Sequence, residues 1–263
     1  MTRRGRRTIS EARWPDTPDF VELAKQWRSD AITVLLNLIW QGYDLYQEDV
    51  LSKVDLSQAD DQLERDITQS LSIYIDIARS GFEPFILRTE WFENEQRQPS
   101  PARQKQYDFA FIWSIPPNIR IVWPLEAKVL HSEGSVSEYV KEIADNYLTC
   151  RYAPFSSEAG MLAYLLKGDP QKAFDNIAKS VPCVLANHVD FLNREHKTSD
   201  HQRIVPAGES YPSNFRCHHL ILKIIEEQST EKVTERGAST KQIAKKTTKE
   251  KASTEKSVDH NRD

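Results

Sequence analysis

Residues 107–113 read Tyr-Asp-Phe-Ala-Phe-Ile-Trp, and residues 120–130 read Arg-Ile-Val-Trp-Pro-Leu-Glu-Ala-Lys-Val-Leu. The first stretch alternates the aromatic residues Tyr107, Phe109, Phe111 and Trp113 with Asp108, Ala110 and Ile112, the period-two pattern of a strand. Residues 114–119, Ser-Ile-Pro-Pro-Asn-Ile, supply a turn, so the second stretch predicts a returning strand. On it Glu126 and Lys128 stand two apart and leave the same face, with Leu125, Ala127 and Val129 on the other. A carboxylate and an ammonium inside an otherwise apolar strand each need a partner, a cation or water, because burying either ion alone is costly. Pairing across the turn brings Asp108 alongside Glu126. Two carboxylates that close raise each other's pKa unless a divalent cation sits between them. Oxygen donors with room left for water and phosphate favour Mg2+ or Mn2+ over Zn2+. Such an ion can polarise a phosphodiester, and Lys128 beside it can orient a nucleophile or stabilise the charge that develops.

Working outward, Asp19 can cap a helix over residues 20–41, with Leu23, Trp27, Val34, Leu35, Leu38 and Ile39 as its apolar surface and Gly42 as a stop. A second helix is predicted over residues 58–79. Ser57 precedes it, Asp60 and Asp61 lie in its first turn, Leu63, Ile67, Leu71, Tyr74, Ile75 and Ala78 form its stripe, and Gly81 closes it. Residues 84–91 predict a strand and residues 93–106 a long polar loop. Residues 135–148 predict a helix, 160–166 a strand, and 170–180 a helix opened by Pro170. Residues 183–189 and 218–225 predict the last strands. This order gives an α/β fold of the mixed kind, a central mixed sheet flanked by helices. Pro124 lacks a ladder donor and suits an edge or bulge, where it would splay Glu126 and Lys128 toward a cleft.

Asp108, a 17-residue gap and Glu126-Ala127-Lys128 together resemble the metal-binding hairpin of the PD-(D/E)xK, or restriction-endonuclease-like, nuclease superfamily. Residues 63–71, Leu-Glu-Arg-Asp-Ile-Thr-Gln-Ser-Leu, resemble the helix that members place before the hairpin, with Glu64 one turn ahead of Thr68. Residues 151–164 resemble a segment found after this strand in defence-associated members, and Ser199-Asp-His201 and residues 217–222 resemble their C-terminal strands. Tyr107 stands where the motif's name has proline. The resemblance implies a restriction-endonuclease-like core and a Mg2+- or Mn2+-dependent endonuclease acting on DNA, in a bacterial or phage-related defence or DNA-processing system. It further implies Asp108, Glu126 and Glu64 as metal ligands, Lys128 as the residue activating the nucleophile, and Arg151 as a phosphate contact. Asp66 is a weaker candidate than Glu64. Tyr139, Lys141 and Glu142 are expected on a helix bordering the cleft, as packing or surface residues, and His201, His218 and His219 as structural histidines.

Three cysteines, Cys150, Cys183 and Cys217, fit a reduced compartment and the apolar core. The six tryptophans fall on predicted apolar faces and are expected to pack in the core. No apolar run suggests a membrane span, and the basic start followed by Thr8, Ile9, Ser10 and Glu11 does not suggest a secretory signal, so a cytoplasmic protein is expected. The organisation expected is a basic flexible arm over 1–18, one nuclease domain over 19–227 and a disordered charged tail over 228–263. The net charge is -4, with +4 on residues 1–13 and +3 on 228–263; the remaining body therefore carries about -11, enough to repel phosphate backbones unless attraction is local. Nucleic acid is the expected partner, with a partner subunit or a second copy able to deliver it. The alternative is a catalytically silent nuclease-fold module whose acidic surface binds a partner protein or nucleic acid.

Overall fold

The computed structural model describes residues 29–50, 53–92, 106–114 and 122–224. The arm, the tail, most of the 93–106 loop, most of the 114–119 turn and the first part of the first helix lie outside them. In chain order the elements are α1 (Ser29–Asp49), α2 (Asp60–Ala78), β1 (Phe85–Phe92), β2 (Gln106–Trp113), β3 (Val122–Leu130), α3 (Ser137–Glu142), β4 (Glu158–Leu165), α4 (Pro170–Ser180), β5 (Ala186–Asn187), β6 (His196–Gln202) and β7 (Asn214–Lys223). A π-helical turn over Ile143–Tyr147 continues α3.

The seven strands form one mixed sheet in the order β1-β2-β3-β4-β7-β6-β5. β1, β2 and β3 form an antiparallel meander, β4 lies parallel to β3 and β7 parallel to β4, and β6 and β5 close the far edge antiparallel. The parallel pair β3 and β4 is joined through α3, as a crossover requires. One face of the sheet packs on α1 and α2 through Leu35, Leu63, Leu71, Phe111, Leu125 and Leu162. The other packs on α3 and α4 through Tyr139, Ile143, Met161, Phe174 and Ile177. Helices thus cover both faces of the sheet, and the central strand β4 is apolar on both sides, as a parallel strand covered on both faces must be. Among the described residues no helix is long and apolar enough to cross a membrane.

Most expected elements are found within a residue or two, α4 at its expected bounds with Asp169 capping Gln171 N–H. Four expectations are corrected. Gly42 does not stop α1, which continues to Asp49; a Cβ on Gly42 would lie 2.7 Å from Ile75 N, so this glycine lets α1 and α2 cross in backbone contact. Ser57 does not cap α2: its hydroxyl and amide both bond to Asp55, and the N-cap residue is Ala59. The strand expected over 183–189 shrinks to Ala186–Asn187, because Val184 and Val189 point to solvent at 85% and 78% exposure. A strand absent from the reading by periodicity, β6, spans the Ser199-Asp-His201 segment singled out by resemblance and pairs along its whole length with β7.

The alternation of β2 holds from Phe109 onward, with Phe109 and Phe111 in the first core and Ala110 and Ile112 in the second. Tyr107 departs from it. It lies in the second core, its hydroxyl accepting from Ala153 N–H at 2.8 Å. The change of face falls at Asp108, opposite Glu90, which has φ of 52° and drops out of the β1–β2 register between Thr89 and Trp91. All three cysteines are free, Cys150 and Cys217 buried and Cys183 half-buried. Trp40 and Trp123 are buried core residues, Trp91 and Trp113 are half-buried, and Trp14 and Trp27 lie outside the described residues.

Candidate active site

The β2–β3 ladder runs from Ile112↔Val122 to Phe109↔Leu125 and ends there, while β3 stays paired with β4 from Leu125 through Leu130. Past Leu125 the side of β3 that faced β2 is therefore open. Backbone N–H groups on an unpaired strand edge need other acceptors when water is scarce. Asp108 Oδ2 accepts from Ala127 N–H at 2.7 Å, and Glu64 Oε2 accepts from Val129 N–H at 3.3 Å. The two acids thus replace the lost ladder bonds on alternate residues of the open edge. Strand β3 is not fully paired beyond Pro124, which itself pairs with Ala110 and precedes the start of the β4 ladder, so its missing N–H leaves no gap between β3 and β4.

Glu64 reaches this seam because α2 is held over the sheet by its stripe and by Thr68, whose hydroxyl bonds to the Tyr164 hydroxyl at 2.9 Å, one helical turn beyond Glu64. Lys128 leaves β3 on the opposite face from Leu125, Ala127 and Val129 and folds back around the open edge. Its Nζ donates to Glu64 Oε1 at 3.0 Å, to Glu126 Oε1 at 3.3 Å and to the Ala127 carbonyl at 2.6 Å. All three donor positions of the ammonium are filled.

Glu126 is 5% exposed, so the pair it makes with Lys128 is a buried one rather than the solvent-exposed pair of an ordinary sheet edge. Its second oxygen, Oε2, is buried without a hydrogen-bond partner among the described residues. Burial first, and Asp108 second, push the Glu126 carboxyl well above the usual carboxylate range. Burial likewise raises Asp108, against the lowering influence of Lys128 and the Ala127 amide. Glu64 is raised by burial to about 7. Lys128 is penalised by burial, yet the charges of Glu126, Asp108 and Glu64 prevail and raise its pKa. The ammonium stays charged and is the only cation bonded into the cluster among the described residues.

The structure therefore brings together Asp108, Glu126, Glu64 and Lys128. Arg151 does not join their contacts: it is exposed on the turn after the π-helical segment, its own N–H bonded to the Asn146 carbonyl, and it neighbours Tyr152, a ring that also feels Glu126, Glu142 and Asp108. Asp66 is turned away along α2 and bonds to Gln62. Lys141 pairs with Glu138, and Tyr139 is buried against His219. Glu142, expected as a helix-surface residue, is the exception. Its charge bears on both Asp108 and Glu126, and its carboxylate holds the Asn146 amide across the π-helical turn. The sequence placed Glu142 on the helix bordering the cleft but gave no sign that its charge would reach the two acids, because no local pattern encodes a contact between distant segments. His201 and His219 share the Ser199 hydroxyl at 2.6 and 2.7 Å, as structural histidines do.

Three acids around a single lysine in a dry place cannot all ionise cheaply, which is why burial raises all three. The donors are oxygens only, one of them an unpartnered buried carboxylate oxygen, the kind a hard divalent cation prefers, although one oxygen from each of Asp108, Glu126 and Glu64 cannot be chosen so that all three lie within 4.8 Å of one another; a shared ion would have to draw them together. No protein-family model, curated protein or solved structure matches the chain.

Proposed function

We propose that the chain is a metal-dependent nuclease of the PD-(D/E)xK kind, hydrolysing phosphodiester bonds in DNA within a defence or DNA-processing system. The observation that carries this reading is Glu126 Oε2, a buried acceptor with no hydrogen-bond partner among the described residues, beside other acids where the β2–β3 ladder opens. The element order supports it too: a helix bearing Glu64, a meander bearing Asp108 and Glu126, then a crossover helix into a parallel strand.

Asp108, Glu126 and Glu64 would hold Mg2+ or Mn2+, which supplies Lewis acidity toward a phosphodiester oxygen when bound. The chain's own groups divide the remaining work. Lys128 is held charged, so it acts as a hydrogen-bond donor and a positive charge beside the reacting group rather than as a base. Glu64, bonded to Lys128 Nζ and to Val129 N–H, would hold the ammonium in place beside the ion. Arg151, exposed beside Tyr152 at the rim, would meet backbone phosphate as substrate approaches. An acidic body makes this local attraction necessary.

The test is cleavage of plasmid and of linear single-stranded DNA by the full chain with Mg2+ or Mn2+, alongside Lys128→Gln and Glu126→Gln. Loss of cleavage in both variants, with loss of Mn2+ binding by calorimetry in Glu126→Gln, is the expected result. Mn2+ binding unaffected by Glu126→Gln, or full cleavage by Lys128→Gln, would remove the proposal. An inert wild type that binds no Mn2+ would favour a silent partner-binding module.

A further inference from the structure

Away from the acidic seam, three imidazoles converge from three places in the chain. His188 follows β5, His196 opens β6, and His218 lies on β7. One ring nitrogen from each can be chosen so that all three lie within 4.8 Å of one another, the only such group of metal-ligating side chains among the described residues. We propose that His188, His196 and His218 form a binding site for a borderline transition-metal ion of the Zn2+ type, separate from the carboxylate cluster.

The distances suit it. His196 Nε2 and His218 Nδ1 are 3.3 Å apart. Two nitrogens bound to Zn2+ at about 2.0–2.1 Å in tetrahedral geometry stand about 3.3–3.4 Å apart. The outer shell suits it as well: His218 presents its remaining nitrogen, Nε2, to Glu158 Oε2 at 3.1 Å. A carboxylate behind a histidine fixes the ring's tautomer and orientation and raises its basicity as a ligand. His196 and His218 are buried at 2% exposure each and His188 is half-buried, so the outer side of the cluster remains open to an entering ion. An all-imidazole donor set selects Zn2+ and its neighbours over Mg2+ or Mn2+, so the two sites sort their ions by chemistry.

Hydrogen bonding accounts for only part of this arrangement. Trp40 Nε1 donates to His196 Nδ1 at 3.4 Å, His196 Nε2 bonds to His218 Nδ1, and His218 bonds to Glu158, a chain in which each proton points the same way. His188 is outside that chain, yet its ring centre is 4.7 Å from His196 and 5.4 Å from His218. The ion replaces the middle link. The proton on His196 Nε2 moves to Nδ1, where it meets the Trp40 N–H, so this long contact opens as the metal enters. Closing the three rings on one ion ties the short β5 edge and the turn after it to β7.

The test uses the full chain carrying Asp108→Asn and Glu126→Gln, stripped with chelator and titrated with Co2+ alone and then Zn2+. As a control on folding, the wild type is titrated with the carboxylate cluster saturated by Mg2+. The expected result in both is one equivalent of Co2+ giving the strong visible bands of tetrahedral nitrogen ligation, displaced by Zn2+, with a change in tryptophan emission that Trp40→Phe removes. Glu158→Gln is expected to weaken binding about 10–100-fold, and His218→Gln and the half-buried His188→Gln to abolish the bands while circular dichroism is unchanged. Absence of Co2+ binding in both proteins overturns the site, as do bands that survive both histidine substitutions. Neither result bears on Mn2+ binding at Glu126, so this site and the nuclease reading can fail separately.

Discussion

Replacing Glu64 by Gln is expected to stabilise the metal-free chain at alkaline pH and to leave it unchanged at acid pH. Burial raises the Glu64 carboxyl from 4.5 to about 7, against the opposing effects of Lys128 and the Val129 amide, and its side chain is 20% exposed. A carboxyl whose pKa is higher folded than unfolded binds its proton more tightly in the folded state. Its contribution is complete below about pH 4.5 and is lost as pH rises through about 7. The gap between 4.5 and about 7 corresponds to about 3 kcal/mol, at about 1.4 kcal/mol for each tenfold change in proton affinity. Glutamine stands in for the protonated acid at every pH. Wild type and variant should therefore unfold together in urea at about pH 4.5, while at about pH 8.5 the variant should be more stable by about 2–4 kcal/mol.

The measurement is a pair of urea denaturation curves at each pH in the presence of chelator, followed by the same curves with Mg2+. On the proposed reading the ion would compensate the ionised cluster in the wild type, so the gap should close; an ion at a hundredfold excess over its dissociation constant contributes about 2.7 kcal/mol. A difference between the two proteins that is the same at both pH values, or a wild type more stable than the variant at high pH without metal, would refute the reasoning.

Lys128→Gln should cost about 3–5 kcal/mol near neutral pH by stranding buried acids, and the cost should shrink as the solution is acidified and those acids take up protons; a pH-independent loss in denaturation midpoint would contradict its role as the cluster's cation. Gly42→Ala should lower stability by about 1–3 kcal/mol through overpacking against Ile75, even though alanine gains up to about 1 kcal/mol in helix propensity. A rise in melting temperature for that variant would show that α1 and α2 can separate freely. Arg203 bonds to the carbonyls of Tyr152, Ala153 and Ser156 and lies 4.0 Å over the Phe215 ring. Arg203→Lys should cost about 2–3 kcal/mol, since an ammonium lacks the planar fork that spans those carbonyls, and should raise proteolytic nicking of residues 151–157.

What the sequence made legible follows from how local each signal is. The aromatic alternation of residues 109–113 and the apolar stripe of α2 repeat with the period of their own backbone, and both elements are where periodicity puts them. Asp108, Glu126 and Lys128 stood out as charges inside apolar strands, and Glu64 only through the resemblance of its helix. β6, His-Lys-Thr-Ser-Asp-His-Gln, was opaque to periodicity because its buried positions are polar: His196 and Ser199 bond to His218 and His219 across the sheet, and Ser199 also to His201 on its own strand. Such a strand has no hydrophobic period to read. Val184 and Val189 misled in the opposite sense, suggesting a strand where the chain in fact exposes them. Glycine is ambiguous in a different way, since Gly42 serves a close helix crossing and Gly81, at φ of 85°, a turn, and composition does not separate the two uses.

The opening of the β2–β3 ladder explains why the acids are where they are before any chemistry is invoked. Closing the seam with a regular ladder would leave no place for Asp108 or Glu64 at the edge of β3, because the Ala127 and Val129 amides would already be bonded. Opening it exposes two donors, and two carboxylates accept from them. The second Glu64 oxygen is taken by Lys128, and the Glu126 side chain adds an oxygen that nothing among the described residues bonds. Lys128 can neutralise only part of this charge, and its three donor positions are already filled. Keeping such a cluster intact lowers stability wherever the acids ionise, a cost that folding alone gives no reason to bear. On the proposed reading a bound divalent cation would remove that cost, which is why the same substitution, Glu64→Gln, is expected both to raise the stability of the metal-free chain at alkaline pH and to abolish the proposed cleavage.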